Sequence, residues 1–160
     1  MDDGGVAGPH APPPTIRPLH QDDFREVTAI ERASFATPWP EQTFLNLLRR
    51  SNACLLSAVD SDQRVLGYAA IWFSHGEGEL GNLAVDPAAR CTGVGSLLLK
   101  AILREGRTRE ARQIFLEVRE TNLNAQSLYE RHGFELVGRR ENYYESPVED
   151  ALVLRCLLIR

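Results

Sequence analysis

The sequence predicts one α/β domain built on a mixed sheet with helices on both faces. Three observations lead there. The chain has 160 residues, 43% of them hydrophobic and 25% charged. These are values for one globular domain with a sizeable core and no room for a second full one. Its apolar residues switch between strand and helix periodicity in the order β-α-α-β-β-β-α-β-α-β-β. Early strands are joined by tight turns and later ones by helices, which calls for both antiparallel and parallel pairs.

Met1 to Pro14 holds three glycines, four prolines and few apolar side chains. It cannot bury enough surface to offset its ordering entropy and reads as a disordered tail, with the domain spanning 15–160. Thr15–Leu19 is a first strand. Asp22 or Asp23 is placed to cap a helix running to about Phe35, with Phe24, Val27, Ile30 and Ala33 or Ser34 at helical spacing. The prolines of Ala36-Thr37-Pro38-Trp39-Pro40 interrupt it, and a second helix follows with Phe44, Leu45, Leu47 and Leu48. Cys54–Val59 and Val65–Phe73 read as strands around the turn Asp60-Ser61-Asp62-Gln63, and Glu79–Val85 as another. Val94–Leu103 is a strongly apolar helix, and Gln113–Val118 a buried strand rich in branched residues. Asn124–His132 is a short helix stopped by Gly133. Glu135–Gly138 and Ala151–Leu158 are the last two strands.

Charge and special residues exclude several functions. With 22 acidic and 18 basic residues the net charge is −4, the opposite of a general nucleic-acid binder. No apolar run approaches the roughly 18 residues of a membrane span, and no export signal is recognisable. The one lysine, Lys100, follows leucine inside a predicted helix, so a phosphate-loop lysine is excluded. The cysteines, Cys54, Cys91 and Cys156, are widely spaced without CxxC, and the four histidines form neither HxxxH nor HExxH. No metal site is expected, and reduced thiols in a cytoplasm are the simplest reading.

The loop after the fourth strand reads Arg90-Cys91-Thr92-Gly93-Val94-Gly95-Ser96. Gly93 and Gly95 let backbone N–H groups face outward at a helix start, where they lack partners and the helix dipole is positive, so a pyrophosphate would fit. Arg90 could pair with phosphate. Alone the signal is weak: Gly76-Glu77-Gly78 is a second GxG in the same chain. The dinucleotide fingerprint fails because position 98 is Leu98.

Val85-Asp86-Pro87 followed by Arg90-x-x-Gly93-x-Gly95 and an apolar helix resembles motif A of the GNAT N-acetyltransferases. Asn122-x-x-Ala125-x-x-Leu128-Tyr129-x-x-x-Gly133-Phe134 resembles the family's motif B, in the expected order and distance. Leu116-Glu117-Val118-Arg119, Pro38-Trp39, Arg139-Arg140-x-Asn142-Tyr143-Tyr144 and Glu149-Asp150-Ala151 are similar to the RimI-like branch, which acetylates the N-terminal alanine of a small-subunit ribosomal protein. The resemblance implies a mixed, mostly antiparallel sheet and acetyl-CoA as cosubstrate, with no metal. It implies that Cys91, Thr92, Gly93, Val94, Gly95 and Ser96 hold the pyrophosphate, helped by Arg90. The backbone of Leu83, Ala84 and Val85 would pair with the pantetheine arm, and Asn122 would add a contact. In the family a splay beside that strand admits the cosubstrate, and a backbone N–H there faces the thioester oxygen.

Acetyl transfer needs a neutral amine and a stabilised leaving thiolate. Glu117 interrupts the apolar strand Ile114-Phe115-Leu116-Glu117-Val118; it is either a functional carboxylate or one paired with Arg119 or Arg139. The resemblance makes it the general base, acting directly or through water. Tyr129 is either a ring packed on the sheet or, by the resemblance, the general acid. Trp39, Tyr143 and Tyr144 are candidates for a peptide groove, or simply core and rim; Glu41 and Glu145 could attract an ammonium. Cys91 and Thr92 stand where relatives often carry Arg, Gln, Lys or Gly. Cys91 is thereby a thiol at a helix start, where thiolate is favoured, and is expected to be sensitive to oxidation or alkylation. Two other readings remain: acetylation of a small amine or lysine side chain, and a non-catalytic acyl-CoA-binding module. The role of the tail and the oligomeric state are not set by the sequence.

Overall fold

The computed structural model describes residues 12–158; most of the expected tail lies outside them. The elements are β1 (Thr15–Pro18), α1 (Phe24–Ser34), α2 (Glu41–Leu48), β2 (Ala53–Val59), β3 (Val65–Ser74), β4 (Glu77–Val85), α3 (Val94–Thr108), β5 (Gln113–Arg119), α4 (Leu123–Arg131), β6 (Phe134–Glu145) and β7 (Val148–Leu157). The seven strands form one sheet in the order β1-β2-β3-β4-β5-β7-β6. Only β4 and β5 run parallel; every other pair is antiparallel.

Strand alternation divides the core into two layers. Tyr68, Ala70, Val59 and Val65 pack with Phe24, Val27 and Ile30 of α1 and Phe44 and Leu47 of α2. Ala69 and Ile71, on the opposite face of β3, join Leu98, Leu99 and Ile102 of α3 and Ile114, Leu116 and Val118 of β5. Both faces of β3 are therefore buried, which is why its sequence is apolar almost throughout. α1 and α2 pack on β2, β3 and β4. On that side of the sheet β5 presents Phe115, Glu117 and Arg119, each only half-buried, while its alternate residues are in the core.

Three local expectations change. Neither Asp22 nor Asp23 caps α1 through its side chain. A 3-10 turn, Gln21–Asp23, precedes the helix, and the Asp23 carboxylate instead takes both guanidinium nitrogens of Arg17 at 2.7 and 2.8 Å, tying β1 to α1. α3 runs five residues past Leu103, to Thr108. The last two strands extend toward each other as a long hairpin, so Arg139 to Glu145 is strand rather than loop. That segment is polar and mostly exposed, so it carries no apolar alternation to betray it. The Asp150 carboxylate holds it by accepting from Asn142 N–H and Arg139, at 2.9 and 3.0 Å. Cys54, Cys91 and Cys156 are free thiols.

Candidate active site

The site begins where the sheet opens. β4 pairs with β3 from end to end, but with β5 only at Glu77–Gln113, Gly78–Ile114 and Glu79–Phe115. Beyond Phe115, β5 follows β7. The edge of β4 over residues 80–85 thus has no strand partner on its β5 side among the described residues. A cleft of about 350 Å³ lies at the divergence, lined by Trp72, Glu79, Phe115, Glu117, Arg140 and Val153.

A bulge shapes this edge. Ala70 faces Asn82 while the next residue, Ile71, faces Leu80, so Gly81 is the extra residue. One inserted residue exchanges the faces of the residues after it. Leu80 packs with the α3 layer, whereas Asn82 turns toward α1. A Cβ on Gly81 would stand 2.4 Å from the Trp72 ring and 2.9 Å from that of Trp39, so only glycine lets these two rings close over the strand. Trp39 also meets Phe44 edge-on at 5.5 Å and forms part of the α1–α2 layer.

Glu31 of α1 fastens the bulge. Its side chain is fully buried. Oε1 accepts the Trp39 N–H at 2.9 Å and Asn82 Nδ2 at 2.8 Å, linking the Pro38-Trp39 turn to β4. Oε2 is buried with no partner among the described residues. Burial pushes this carboxyl up to about 7, against the pull of its two donors.

Glu117 stands two residues beyond the last β4–β5 pair and lines the cleft. Its partner is Arg140, with Nε 3.3 Å from Oε1, and not Arg119 or Arg139. Arg119 pairs with Glu149 at 3.1 Å, and Arg139 with Glu120 and Asp150 at 2.8 and 3.0 Å. Burial, then the nearby Glu79, raises the Glu117 carboxyl, and Arg140 only partly offsets them. The group is a stronger base than an ordinary glutamate while still open to the cleft.

Tyr129 is buried on the α3 side, its ring edge-on to Phe134 at 5.6 Å. Burial, then Tyr144, raises its hydroxyl well above the usual phenol range. Burial raises the Tyr144 hydroxyl too, with Tyr143 and Glu117 adding to it and Arg119 opposing. Arg119 lies 4.2 Å over its ring, and Tyr143 packs against it edge-on at 5.0 Å. Tyr143 is exposed, with Arg140 5.9 Å over its ring. Trp39 and Tyr143 thus border the cleft through Trp72 and Arg140 rather than line it. Glu41 and Glu145 are exposed and lie outside its lining.

The glycine loop forms the other end. Asp86 accepts the Ala88 N–H at 2.9 Å and caps a 3-10 turn over Pro87–Ala89. Cys91 and Gly93 both take positive φ, at 62° and 90°, a conformation costly for residues bearing Cβ. The first helical bond of α3 runs from Leu97 N–H to the Gly93 carbonyl, leaving the Val94, Gly95 and Ser96 N–H groups without a partner within the helix. Nothing lies within 4 Å of where a Gly93 Cβ would be, so an anion has room there. Gly95 has a different role: a Cβ would come within 3.3 Å of Leu128, so its absence lets α4 approach α3. Arg90 folds back onto the Val85 carbonyl at 3.3 Å and Ser34 at 3.4 Å. Thr92 donates to the Ala89 carbonyl. Asn122 caps α4 by accepting the Ala125 N–H at 3.2 Å. Leu83 and Val85 point into the α3 layer and Ala84 into the α1 layer, so only their backbone is available to the open edge.

The sequence profile of the Acetyltransferase (GNAT) family matches residues 15–134. The chain belongs to the GNAT acetyltransferase family. Within it, the chain is 34% identical to the ribosomal protein bS18-alanine N-acetyltransferase of Salmonella typhimurium over 142 residues, 88% of this chain and 95% of that protein. It is also 34% identical to the enzyme of the same name from Haemophilus ducreyi, over 82% of this chain and 90% of that one. The crystal structure of the ribosomal-protein-S18-alanine N-acetyltransferase from Escherichia coli superposes with a TM-score of 0.83 at 30% identity, covering 92% of this chain and 95% of that one.

Several residues around this candidate site escape a sequence reading built on motifs. Arg140 is one of many arginines, and its choice by Glu117 depends on the register of β6 and β7. Glu31 left a signal: it lies seven residues after Phe24, on the apolar stripe of α1, where a carboxylate is out of place. The Gly81 bulge shows only in the structure, where Leu80 and Leu83 share a face at a spacing that strict alternation forbids.

Proposed function

We propose that this enzyme transfers the acetyl group of acetyl-CoA to the N-terminal α-amine of a protein, the alanine at the start of ribosomal protein bS18, in the cytoplasm. The carrying observation is the divergence of β4 and β5 after Glu79–Phe115. It leaves the edge of β4 free between a carboxylate-lined cleft at Glu79 and Glu117 and, past the end of the strand, a helix start with unpaired N–H groups. Acetyl-CoA supplies the activated thioester carbonyl. The Val94, Gly95 and Ser96 N–H groups hold its pyrophosphate, and the backbone of Leu83, Ala84 and Val85 pairs with the pantetheine amides as an added strand.

On the far side, Glu77, Glu79 and Glu117 outnumber Arg140 in the cleft lining and favour entry of an ammonium. An N-terminal amine titrates near 7.7–8.0, so a raised glutamate is a sufficient base, and Glu117 takes the proton that frees the attacking lone pair. A backbone N–H on the open edge of β4 takes the thioester oxygen as charge develops on it. The Tyr129 hydroxyl, kept protonated by burial, donates to the departing thiolate.

The test is acetyl transfer by purified protein to three acceptors: a peptide with the bS18 N-terminus, the same peptide N-terminally blocked but carrying lysine, and a polyamine. Acetylation of the free N-terminal alanine in clear preference is expected. Preference for the lysine or the polyamine would overturn the reading, and acetyl-CoA turnover with none of the three would too.

A further inference from the structure

We propose that Ser96 and His132 form a proton-linked grip on the cosubstrate, in which binding of the pyrophosphate favours uptake of a proton from solvent onto His132. The inference rests on the reading that the start of α3 holds acetyl-CoA.

The geometry assigns the protons. His132 closes α4, and its Nδ1 lies 2.9 Å from the Leu128 carbonyl. A carbonyl only accepts, so Nδ1 carries hydrogen. Nε2 lies 2.8 Å from Ser96 Oγ. In the neutral ring Nε2 has only a lone pair, so the single hydroxyl hydrogen of Ser96 points at His132. Ser96 is then an anion-binding residue turned the wrong way: its backbone N–H faces a bound anion, while its hydroxyl has only lone pairs to offer.

Protonation reverses the polarity of the pair. In the imidazolium both nitrogens donate, Nδ1 to Leu128 and Nε2 to Ser96 Oγ. The hydroxyl hydrogen is released and can turn toward a phosphate oxygen as a further donor at the helix start. The balance is one proton taken from solvent to Nε2 and one hydrogen bond transferred from imidazole to phosphate, with no covalent bond made or broken beyond that N–H. A bound anion also favours the nearby cation directly. Because linkage is reciprocal, lower pH must tighten cosubstrate binding by the factor with which binding favours the imidazolium.

The surroundings leave His132 free to respond. Ser96 faces it from α3 and the Leu128 carbonyl from its own helix. From β7, Cys156 Sγ approaches the His132 carbonyl at 3.7 Å. Burial raises that thiol, with Arg107 opposing and Glu135 reinforcing, so it stays uncharged. Glu130 and Arg131 are the charged residues next to it along α4, and both are exposed. Ser96 and His132 are half-buried, which fixes their contact and leaves part of each side chain at the surface. His132 is a positioning residue, acting on the cosubstrate through Ser96.

Calorimetric titration of the full chain with coenzyme A, in buffers of different ionisation enthalpy near pH 7, counts protons taken up. Wild type is expected to take up more than His132→Gln and more than Ser96→Ala. Coenzyme A titrates identically in all three, so its own phosphates cancel. Between pH 8 and pH 6 the wild-type Kd should tighten by up to about tenfold more than that of either variant, the scale of one charge-assisted hydrogen bond. Both variants should still bind through the backbone N–H groups. Equal proton uptake in wild type and His132→Gln overturns the proposal. So does wild-type uptake retained in Ser96→Ala, which would mean that the ring senses the charge without the hydroxyl. Failure of wild type itself to bind coenzyme A would instead overturn the cosubstrate reading, and the grip with it.

Discussion

Replacing Glu31 with glutamine should change how stability depends on pH, and the size of the change is set by its burial. Glutamine keeps an oxygen for the Trp39 N–H and Asn82 and removes the ionisable group. Burial raises the Glu31 carboxyl from 4.5 to about 7. Its folded value is therefore above its unfolded one. Between those values the native state holds a proton that the unfolded chain has released, so stability falls as pH rises through the window. At 1.36 kcal/mol per pH unit the full loss is about 3 kcal/mol, of which about 2–3 kcal/mol falls between pH 5 and pH 8. The variant lacks this loss. Its stability relative to wild type should improve by that amount across the window, or by about 5–10 °C in Tm for a domain of this size. The carboxamide NH2 replaces a buried oxygen that already lacks a partner and costs about 1–3 kcal/mol. That penalty is the same at every pH, so the readout is the difference in slope. Thermal melts of both proteins at pH 5, 6, 7 and 8 suffice. Parallel curves would sink the expectation, showing that the carboxyl is either solvated or paired in the folded state.

Glu117→Gln should lower kcat at pH 7 by about a hundredfold or more, the usual weight of a general base, while the acetyl-CoA Kd moves little. The deficit should shrink above pH 8, where the N-terminal amine deprotonates unaided; equal losses in turnover and binding would remove its role. Tyr129→Phe should cost about ten- to a hundredfold in kcat, one hydrogen bond to a developing charge, and wild-type rates at every pH would exclude the hydroxyl. Gly81→Ala places a methyl 2.4 Å from the Trp72 ring and should destabilise by about 1–3 kcal/mol through overpacking; an unchanged Tm would show that the rings yield. In Gly93→Val the Cβ meets nothing within 4 Å, but the residue must hold φ near 90° and its methyl groups intrude where the pyrophosphate would lie. Acetyl-CoA affinity should therefore collapse with only a modest loss of stability, and unaltered binding in calorimetry would refute the loop assignment.

Much of the fold is legible along the chain because faces are written locally. Phe24, Val27 and Ile30 define the buried stripe of α1 through helical spacing alone. The loop from Arg90 to Ser96 is legible for the same reason: positive φ at residue 93 and unpaired N–H groups after it are properties of a few consecutive residues. The hairpin from Arg139 to Val148 is not legible, since its strands are exposed and polar and are held by Asp150 across the ladder. The Asp23–Arg17 pair, which displaces the expected cap, likewise needs β1 laid beside the start of α1.

Local pattern along the chain was enough for the sheet with helices on both faces, the order of strands and helices, the glycine loop with its unpaired N–H groups at a helix start and an acidic residue, Glu117, in an apolar strand. Contacts across the folded chain settled which arginine meets that carboxylate, that Gly81 is a bulge, that Glu31 locks Trp39 to Asn82, and that β4 and β5 part after three pairs. The division has one origin. Periodicity and backbone conformation depend on neighbours a few residues away, whereas register, bulges and ion-pair choice are settled between segments tens of residues apart, once the sheet has closed.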